Sequence, residues 1–522
     1  MLSRVARNFA GRHAYVCGQV SRTWGEMEQR SERLAGALAA LGLAVGESVA
    51  ILGQERLEIY EHYFACMKLG LVRVGINWRY APAEVAHILA DSGARCVLVD
   101  GRSEALLRAA LAFSGIEGIT VIGYGEHSQP LDYETLLRRA PSVAHPALQP
   151  ADPLVISYTS GSTGAPKGVV HSHRSVALII LQGAVSRGLT TDDVWYGAIA
   201  SSWMACVLNM IGLANGMTTV VMDGAFDIDR FVDEVQQHEV SAALLVPTLA
   251  GRLLDKCAGA PSALDSLRLL MYGSSPAPRS LLERIMGTLR CQLMQTYGMT
   301  EGGWVSHLTP KDHLRALAGD ARLLSSAGRV GAMYQMSLRD NDGREVPTGE
   351  TGEVWLRGET TMLGYRNLPK ETEEALGGGW LHTNDIGRFD DEGYLYLVDR
   401  KKFMIITGAV NVFPASVEAV LADHPDIAEI AVVGLPHPEW GEAVVAVVVA
   451  RSGRPVPDVK EIGEFARDRL SRMELPKHVF SIDALPRTVT SKVDKRAVLA
   501  WARDRQSDLP WGAASALERS GA

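Results

Sequence analysis

Residues 158–168, Tyr-Thr-Ser-Gly-Ser-Thr-Gly-Ala-Pro-Lys-Gly, place hydroxyls, glycines and a single lysine in one short stretch. Glycine lets backbone N–H groups approach an anion, the hydroxyls add hydrogen-bond donors, and Lys167 adds positive charge. The stretch follows the apolar run 154–157, as a phosphate-binding loop follows a buried strand. It is not a Walker loop, because Pro166 stands where that motif requires glycine. A flexible linker rarely ends in Pro-Lys-Gly, so we predict a loop that wraps a polyphosphate.

A second stretch, Gln295–Glu301, brings together three groups that suit a metal-bound nucleotide. Tyr297 offers an aromatic face for a base, Thr300 a hydroxyl for a phosphate oxygen, and Glu301 a hard oxygen ligand for a hard cation. Taken alone, this segment could equally be a turn with a capping threonine. Behind a phosphate loop, nucleotide binding is the better interpretation.

Four more segments stand in the chain order that is typical of one superfamily. They are Gly273–Pro278, Trp380–Ile386, Asp399–Pro414 and Leu485–Lys492. With the two stretches above, they resemble the motifs of the adenylate-forming enzymes: acyl-CoA synthetases, peptide-synthetase adenylation domains and beetle luciferases. The resemblance runs from about Thr23 to Leu499. It implies that a carboxylate attacks the α-phosphate of ATP, with Mg²⁺ present, and that a thiol such as coenzyme A then takes the acyl group.

The resemblance also implies which residues bind the nucleotide. The loop holds the β- and γ-phosphates, a turn of small residues borders the adenine, and Tyr297 stacks on it. The expected ATP- or AMP-binding residues are Thr159, Ser160, Gly161, Ser162, Thr163, Gly164, Lys167, Gly273, Ser274, Ser275, Tyr297, Gly298, Thr300, Asp385 and Arg400. Asp385 would accept both ribose hydroxyls, a role that suits a carboxylate, and Arg400 would contact the ribose.

Catalysis of this kind depends on positioning and charge neutralisation more than on a protein nucleophile. The expected catalytic residues are Lys167, Thr300, Glu301 and Lys492. By the resemblance, Thr300 touches the α-phosphate and Glu301 holds the magnesium ion. Lys492 would lie between the substrate carboxylate and the α-phosphate. Its Pro-Arg-Thr context favours that role over an ordinary solvated lysine.

Five positions depart from the family pattern. Asn384, Ala409 and Ser491 replace glycine, Phe403 replaces aspartate, and Val410 replaces glutamate. Asparagine tolerates a positive φ angle better than most residues, so we expect the turn before Asp385 to survive. Serine at 491 is a tolerable change in a flexible loop.

Three of these departures fall in the segment that the family uses as a hinge and a thiol channel. Lys402 is expected to be the hinge about which a C-terminal domain alternates between two states. Gly408, Ala409 and Val410 are expected to line the coenzyme A channel in the second state. The altered loop weakens the prediction of thioester formation more than that of adenylation. The ring of Phe403 could also anchor the loop on a substrate or partner.

The residues expected to line the acyl pocket are Ser202, Trp203, Gly302 and Gly303. Many relatives carry a histidine here that this chain lacks, and no aspartate is present to hold a substrate amino group. Small residues predict a roomy apolar pocket for a bulky cyclic or aromatic acid, or for a medium-chain fatty acid. Packing in an ordinary core is the alternative. His171 and His173 are expected to be structural or capping residues rather than metal ligands.

Composition limits the class of protein. At 522 residues, with 47% hydrophobic and 21% charged residues, the chain has room for more than one domain and resembles an ordinary soluble protein. A net charge of -8 argues against a general nucleic-acid binder. Six cysteines without CxxC spacing favour buried thiols in a reducing compartment over disulfides or zinc. The longest apolar run, 443–450, predicts a strand rather than a membrane span. We expect a cytoplasmic protein that could form homodimers.

Helix-like and strand-like runs alternate in the first part of the chain. A capping-box pattern at Thr23–Glu26 opens a helix, and repeated βαβ runs predict doubly wound parallel sheets in an α/β fold. From about Ser326, short strands and tight turns predict a small β-barrel-like subdomain. A small α+β unit follows Asp399. We therefore predict a large N-terminal adenylation domain, residues 1–400, and a small mobile C-terminal lid, residues 401–522, that carries the catalytic lysine.

The leading hypothesis is an AMP-forming acyl-CoA synthetase that acts on an apolar carboxylic acid. An acyl-AMP ligase that loads an acyl carrier protein is the alternative among ligases, because of the altered loop at 409–410. A degenerate nucleotide-binding protein is a third hypothesis, which the retained charged residues argue against. A luciferase-like oxygenase would share every motif and stays open.

Overall fold

The computed structural model describes residues 1–159, 166–202, 204–257, 259–275, 277–407, 410–488 and 492–511. The side chains of Lys402 and Asn411 lie outside this description.

The strands, in chain order, are β1 (His13–Cys17), β2 (Val20–Thr23), β3 (Ser48–Gly53), β4 (Val72–Asn77), β5 (Cys96–Asp100), β6 (Thr120–Tyr124), β7 (Leu131–Asp132), β8 (Pro153–Thr159), β9 (Lys167–Ser172), β10 (Val194–Gly197), β11 (Thr218–Val221), β12 (Ala242–Leu245), β13 (Leu269–Gly273), β14 (Gln292–Met299), β15 (Gly303–Leu308), β16 (Arg329–Val330), β17 (Gln335–Arg339), β18 (Gly352–Arg357), β19 (Gly364–Tyr365), β20 (Leu381–Phe389), β21 (Leu395–Arg400), β22 (Ile405–Thr407), β23 (Val410–Val412), β24 (Ile427–His437), β25 (Gly441–Ala450) and β26 (His478–Ser481).

The α-helices are α1 (Leu2–Phe9), α2 (Trp24–Ala40), α3 (Glu58–Leu69), α4 (Pro82–Ser92), α5 (Glu104–Ser114), α6 (Tyr133–Arg139), α7 (His173–Ser186), α8 (Gly212–Asn215), α9 (Ile228–Gln237), α10 (Pro247–Cys257), α11 (Arg279–Thr288), α12 (Pro310–Leu317), α13 (Pro369–Ala375), α14 (Pro414–Leu421), α15 (Val459–Ala466) and α16 (Lys495–Arg503).

The chain divides into two compact units. Unit 1 comprises residues 1–336 and 356–382, and unit 2 comprises residues 337–355 and 383–522. Residues 337–355 thus belong to the same compact unit as the C-terminal elements, although they lie before residues 356–382 of unit 1 in the sequence. The predicted domain boundary between residues 400 and 401 stays a prediction.

Unit 1 holds two large sheets whose central strands are parallel. Their strand orders are β16-β15-β14-β13-β12-β10-β11-β1-β2 and β19-β9-β8-β4-β3-β5-β6-β7. Antiparallel pairs occur at the sheet ends, including β14–β15 and β8–β9. Parallel strands joined by helices give the predicted doubly wound α/β arrangement, in which carboxyl ends of strands gather at one edge.

Helix α2 shows how the sequence sets these elements. The hydroxyl of Thr23 accepts a hydrogen bond from the backbone N–H of Glu26, and the Glu26 carboxylate accepts one from the N–H of Thr23, at 2.7 Å. This confirms the predicted capping box. Its apolar face, with Met27, Leu34 and Leu38, is fully buried in the core of unit 1.

Unit 2 contains most of a four-stranded sheet, β17-β18-β20-β21, and the five-stranded sheet of β22 to β26. The four-stranded sheet lies in the part of the chain for which the sequence predicted a small β-barrel-like subdomain. In the five-stranded sheet, the apolar run 443–450 forms β25, as predicted. Alternate residues of β25 enter cores on both faces of the sheet, so the run is continuous rather than alternating.

The six cysteines are free thiols, five of them buried and Cys291 half-buried, as predicted. Burial raises the pKa of Cys66, Cys96 and Cys206 to about 12, so these thiols stay protonated and unreactive. Within the described residues, no helix combines the length and the apolar character needed to cross a membrane.

Candidate active site

The predicted phosphate loop joins two antiparallel strands of unit 1. Strands β8 and β9 pair so that Thr159 lies opposite Lys167 and Tyr158 opposite Gly168. Residue 168 is tightly packed, because a Cβ there would lie 2.8 Å from Cγ2 of Ile156 and 3.0 Å from the ring of Tyr158. The pairing fixes both ends of the loop. The loop residues Ser160, Gly161, Ser162, Thr163 and Gly164 lie outside the described residues.

Lys167 and Glu301 both contact the side chain of one tyrosine, Tyr365. The Nζ atom of Lys167 lies 5.2 Å from the centroid of the Tyr365 ring, and the Tyr365 hydroxyl donates to Glu301 Oε1 at 3.0 Å. These residues come from distant parts of the chain. The structure therefore brings together two of the predicted catalytic residues, joined by a residue that our sequence analysis missed.

Thr300 is held through its backbone. The carbonyl oxygen of Thr300 can only accept, so Nε2 of His171 donates to it, at 2.7 Å, while Nδ1 accepts from Ser175 at 3.2 Å. Burial lowers the pKa of His171 to about 4, which keeps the ring neutral. This confirms the predicted structural role of His171. His173 is the first residue of α7, and Ser172 provides the helix cap.

The predicted adenine-binding turn lies at the carboxyl ends of β13 and β14. A Cβ on Gly273 would lie 2.4 Å from the carbonyl oxygen of Thr296, and one on Gly298 would lie 2.2 Å from that of Gly303. Both positions therefore require glycine. Ser274 has a φ angle of 67°, a left-handed conformation that is strained for serine and typical of functional sites. Ser275 is exposed, and Tyr297 is buried.

The carboxylate of Glu301 suits a magnesium ion. The described residues contain no cluster of three or more metal-ligating side chains. Mg²⁺ is commonly held by one or two carboxylates together with substrate phosphates, so a cluster is not required. Tyr365 donates to only one oxygen of the Glu301 carboxylate, and a carboxylate has further lone pairs that can bind a cation.

The predicted ribose-binding residues pair with each other in unit 2. Asp385 and Arg400 lie opposite each other in β20 and β21, and Arg400 Nε donates to Asp385 Oδ1 at 2.9 Å. Asn384 has a φ angle of 59°, so asparagine does take the left-handed turn expected at this position. Its N–H donates to Glu353 Oε1 at 3.2 Å.

Lys492 lies near this ion pair. Although its surface as a whole is exposed, its ammonium group is desolvated. That burial, together with the positive charge of Arg400, lowers the pKa of Lys492 from 10.5, while Asp385 acts in the opposite direction. A lysine whose charge is poorly compensated is well suited to an anionic substrate. Ser491 lies outside the described residues.

The hinge segment is only partly described. The ring of Phe403 lies 5.7 Å from Nζ of Lys495, so this aromatic replacement already has an intramolecular cation partner. Val410 is 43% exposed. Gly408 and Ala409 lie outside the described residues, as does the side chain of Lys402. The hinge and channel roles stay predictions.

The predicted pocket glycines are closely packed. A Cβ on Gly303 would lie 3.0 Å from the hydroxyl of Tyr334 and 3.1 Å from Ile179, and one on Gly302 would lie 3.3 Å from Leu381. The expectation of open space at these positions is therefore wrong, because larger side chains fill it. Their part in an acyl pocket stays a prediction.

Ser202 is buried, and Trp203 lies outside the described residues. The preceding residue, Ser201, is held by two buried charged groups. Glu55 Oε1 accepts from the Ser201 N–H at 2.7 Å and from its hydroxyl at 2.8 Å, and Arg73 Nη2 donates to the Ser201 carbonyl at 3.0 Å. These contacts of Ser201 were not predicted from the sequence, although an arginine inside the apolar run 71–76 was a signal.

The burial of Glu55 predicts a pH dependence of stability. Burial raises the pKa of Glu55 from 4.5 to about 7, against the opposing effects of Ser201 and Arg73. Between these values the folded state keeps a proton that the unfolded chain releases. The free energy of unfolding should therefore fall as pH rises through this window, by up to about 3 kcal/mol. Urea unfolding of Glu55→Gln should lack this decrease, whereas the exposed control Glu117→Gln should keep it. If the free energy of unfolding depends on pH in the same way in Glu55→Gln and in the unmodified protein, Glu55 is not the group responsible for the decrease.

Comparisons with known proteins show the family to which the chain belongs. The sequence matches the family model described as AMP-binding enzyme over residues 2–366, and the AMP-binding enzyme C-terminal domain over residues 416–492. It is 35% identical to the fatty acid–[acyl-carrier-protein] ligase ScoC of Streptomyces coeruleorubidus, covering 94% of this chain and 93% of that protein. It is also 35% identical to an indoleacetate–CoA ligase of Aromatoleum aromaticum, covering 89% and 90%.

Among solved structures, the amide bond synthetase McbA from Marinactinospora thermotolerans is similar, with a TM-score of 0.85 and 30% identity. The match covers 96% of this chain and 99% of that one. The sequence match and the fold similarity thus extend over nearly the whole chain. The chain belongs to the adenylate-forming superfamily of AMP-binding enzymes and is an AMP-forming acyl ligase.

Proposed function

We propose that this ligase is an acyl-CoA synthetase for an apolar carboxylic acid, either bulky and cyclic or aromatic, or of medium chain length. In the first step the acid's carboxylate oxygen attacks the α-phosphate of ATP, and pyrophosphate leaves. In the second step the thiolate sulfur of coenzyme A attacks the acyl carbon, and AMP leaves. Both steps develop charge on oxygen, which positioned cations and donors stabilise.

The described residues are compatible with a division of roles. Lys167 would supply positive charge at the end of the phosphate loop, and Thr300, whose backbone carbonyl is held by His171, would contact the α-phosphate. Glu301 would hold Mg²⁺, which neutralises phosphate charge when bound. Asp385 and Arg400 would contact the ribose. These roles follow from the family resemblance, and the contacts above are compatible with them.

The observation that carries the proposal is the setting of Lys492. A lysine near Arg400, with a pKa lowered mainly by burial, gains most when an anion arrives beside it. The substrate carboxylate and the α-phosphate are such anions. Lys492 would draw the two together and offset the charge that develops between them.

We expect an apolar substrate because the residues that follow the predicted pocket residues Ser202 and Trp203 are buried and mostly apolar. The 3₁₀ helix Met204–Met210, which follows Ser202 and Trp203, is almost wholly buried and mostly apolar. The nearby side chains of Glu55 and Arg73 are hydrogen-bonded to Ser201. These features favour an acid without a second charged group.

Transfer to a carrier protein is a second candidate, supported by one surface feature. Ile406 is 52% exposed and Val410 43% exposed, on the paired strands β22 and β23. Exposed apolar side chains at the predicted thiol channel would suit a protein surface as well as a small thiol. The similarity to a carrier-protein ligase points in the same direction.

Pyrophosphate release tests the proposal. The purified protein with Mg·ATP would be given a panel of apolar, aromatic and dicarboxylic acids, each with coenzyme A, with a phosphopantetheinylated carrier protein, or with neither. We expect release that depends on an apolar acid, and an acyl-CoA only when coenzyme A is present. An acyl-carrier product without acyl-CoA would replace the proposal with the second candidate. Preference for a dicarboxylic acid would contradict the substrate class.

Lys492→Ala should slow adenylation by about 100-fold or more, because a charge-stabilising group is lost, while ATP binding changes little. In the unmodified protein the adenylation rate should fall on the alkaline side at a pH below 10.5, as Lys492 loses its proton. Any activity left in Lys492→Arg should lack this alkaline fall, since a guanidinium does not titrate there.

Lys460→Ala, at an exposed lysine of the same unit, is the matched control and should behave as the unmodified protein. Preserved pyrophosphate release in Lys492→Ala would remove Lys492 from the mechanism.

A further inference from the structure

The short segment from Met362 to Arg366 binds two predicted site elements through its backbone. The N–H of Met362 donates to the carbonyl of Glu301 at 2.8 Å, and that of Arg366 donates to the carbonyl of Gly168 at 2.7 Å. Between them, β19 pairs with β9, with Tyr365 opposite Val169. The segment therefore joins Gly168, at the end of the phosphate loop, to Glu301.

Tyr365 adds a side-chain link at the same place. Its hydroxyl donates to Glu301 Oε1 at 3.0 Å, and its ring lies 5.2 Å from the ammonium nitrogen of Lys167. Its own N–H donates to the hydroxyl of Thr372 at 2.9 Å, so its backbone is held from a further direction. Tyr365, Glu301 and Lys167 all belong to unit 1.

The two contacts act on opposite charges without neutralising either. A hydroxyl that donates to one carboxylate oxygen orients the carboxylate and leaves its negative charge for a cation, as outer partners of metal ligands do. An aromatic ring attracts an ammonium group through its quadrupole but carries no charge of its own. A direct Lys167–Glu301 ion pair would instead satisfy each charge with the other.

We propose that Tyr365 is a positioning residue that holds Glu301 and Lys167 apart and aims them at the metal ion and the phosphates of ATP. The proposal rests on the proposed nucleotide-binding function. In this proposal the two parts of the side chain have separate roles. The hydroxyl orients Glu301 for binding the metal ion, and the ring positions Lys167 for binding the phosphates.

Two variants separate these parts. Tyr365→Phe keeps the ring and removes the hydroxyl, so the dissociation constant of Mn²⁺ in the presence of ATP should rise about five- to tenfold, as measured by electron paramagnetic resonance. Binding of ATP in EDTA, measured by calorimetry, should stay unchanged. Tyr365→Leu also removes the ring, and binding of ATP in EDTA should then weaken about two- to fivefold.

Tyr133→Phe is the matched control. The buried hydroxyl of Tyr133 also donates to a glutamate, Glu61, at 2.6 Å, on elements that carry none of the predicted site residues. This variant should lose thermal stability but keep both dissociation constants.

The outcomes distinguish this proposal from the proposed function. If the unmodified protein binds Mn·ATP and Tyr365→Phe binds Mn²⁺ equally well, the positioning role is wrong and the function stands. If both dissociation constants change together in Tyr365→Phe, the separation of parts is wrong. If the unmodified protein shows no metal-assisted ATP binding, both proposals are contradicted.

Discussion

Antiparallel pairing around strand β9 is the constraint on which the nucleotide site of unit 1 depends. One neighbour, β8, fixes Thr159 opposite Lys167 and so closes the phosphate loop. The other, β19, brings Tyr365 into the same sheet. Because backbone hydrogen bonds determine the register, a slip of one residue would turn each side chain to the opposite face. The placement of Lys167 and Tyr365 is thus a property of the sheet, and Glu301 is joined to it by two hydrogen bonds.

Charges in both units are held without being fully cancelled. Lys167 contacts a ring, Glu301 accepts from a hydroxyl, and Lys492 has a pKa lowered by burial and by Arg400. Such groups are costly to maintain in isolation and gain most from a charged ligand. The chain carries a net charge of -8, so the presence of Lys167 in one unit and of Lys492 in the other is not a consequence of overall composition. It fits an enzyme that binds a polyphosphate and a carboxylate.

The sequence predicted those parts of the structure that local patterns determine. The capping box at Thr23, the strand before the phosphate loop and the left-handed turn at Asn384 all follow from short-range chemistry. Tyr365 was missed because a two-residue strand has no periodicity to reveal it. Glu55 and Arg73 were missed because only tertiary contacts show that buried charges hold Ser201.

Contacts between residues distant in sequence explain one wrong expectation. Gly302 and Gly303 were expected to leave space, yet Tyr334, Ile179 and Leu381 occupy it, and all three are distant in sequence. The grouping of residues 337–355 with the C-terminal elements likewise depends on long-range strand pairing. Small residues indicate where a backbone can be approached closely, but they do not say whether a ligand or a protein side chain makes the approach.

The central claim is that Glu301, oriented by Tyr365, holds the metal ion of a nucleotide whose phosphates lie at Lys167. The most direct measurement is a crystal structure of the protein with ATP and Mn²⁺, with data collected at the manganese absorption edge. The account predicts an anomalous peak within coordination distance of a Glu301 carboxylate oxygen, with the Tyr365 hydroxyl still donating to that carboxylate and phosphate density beside Lys167. A nucleotide bound with its metal ion away from Glu301 would contradict it.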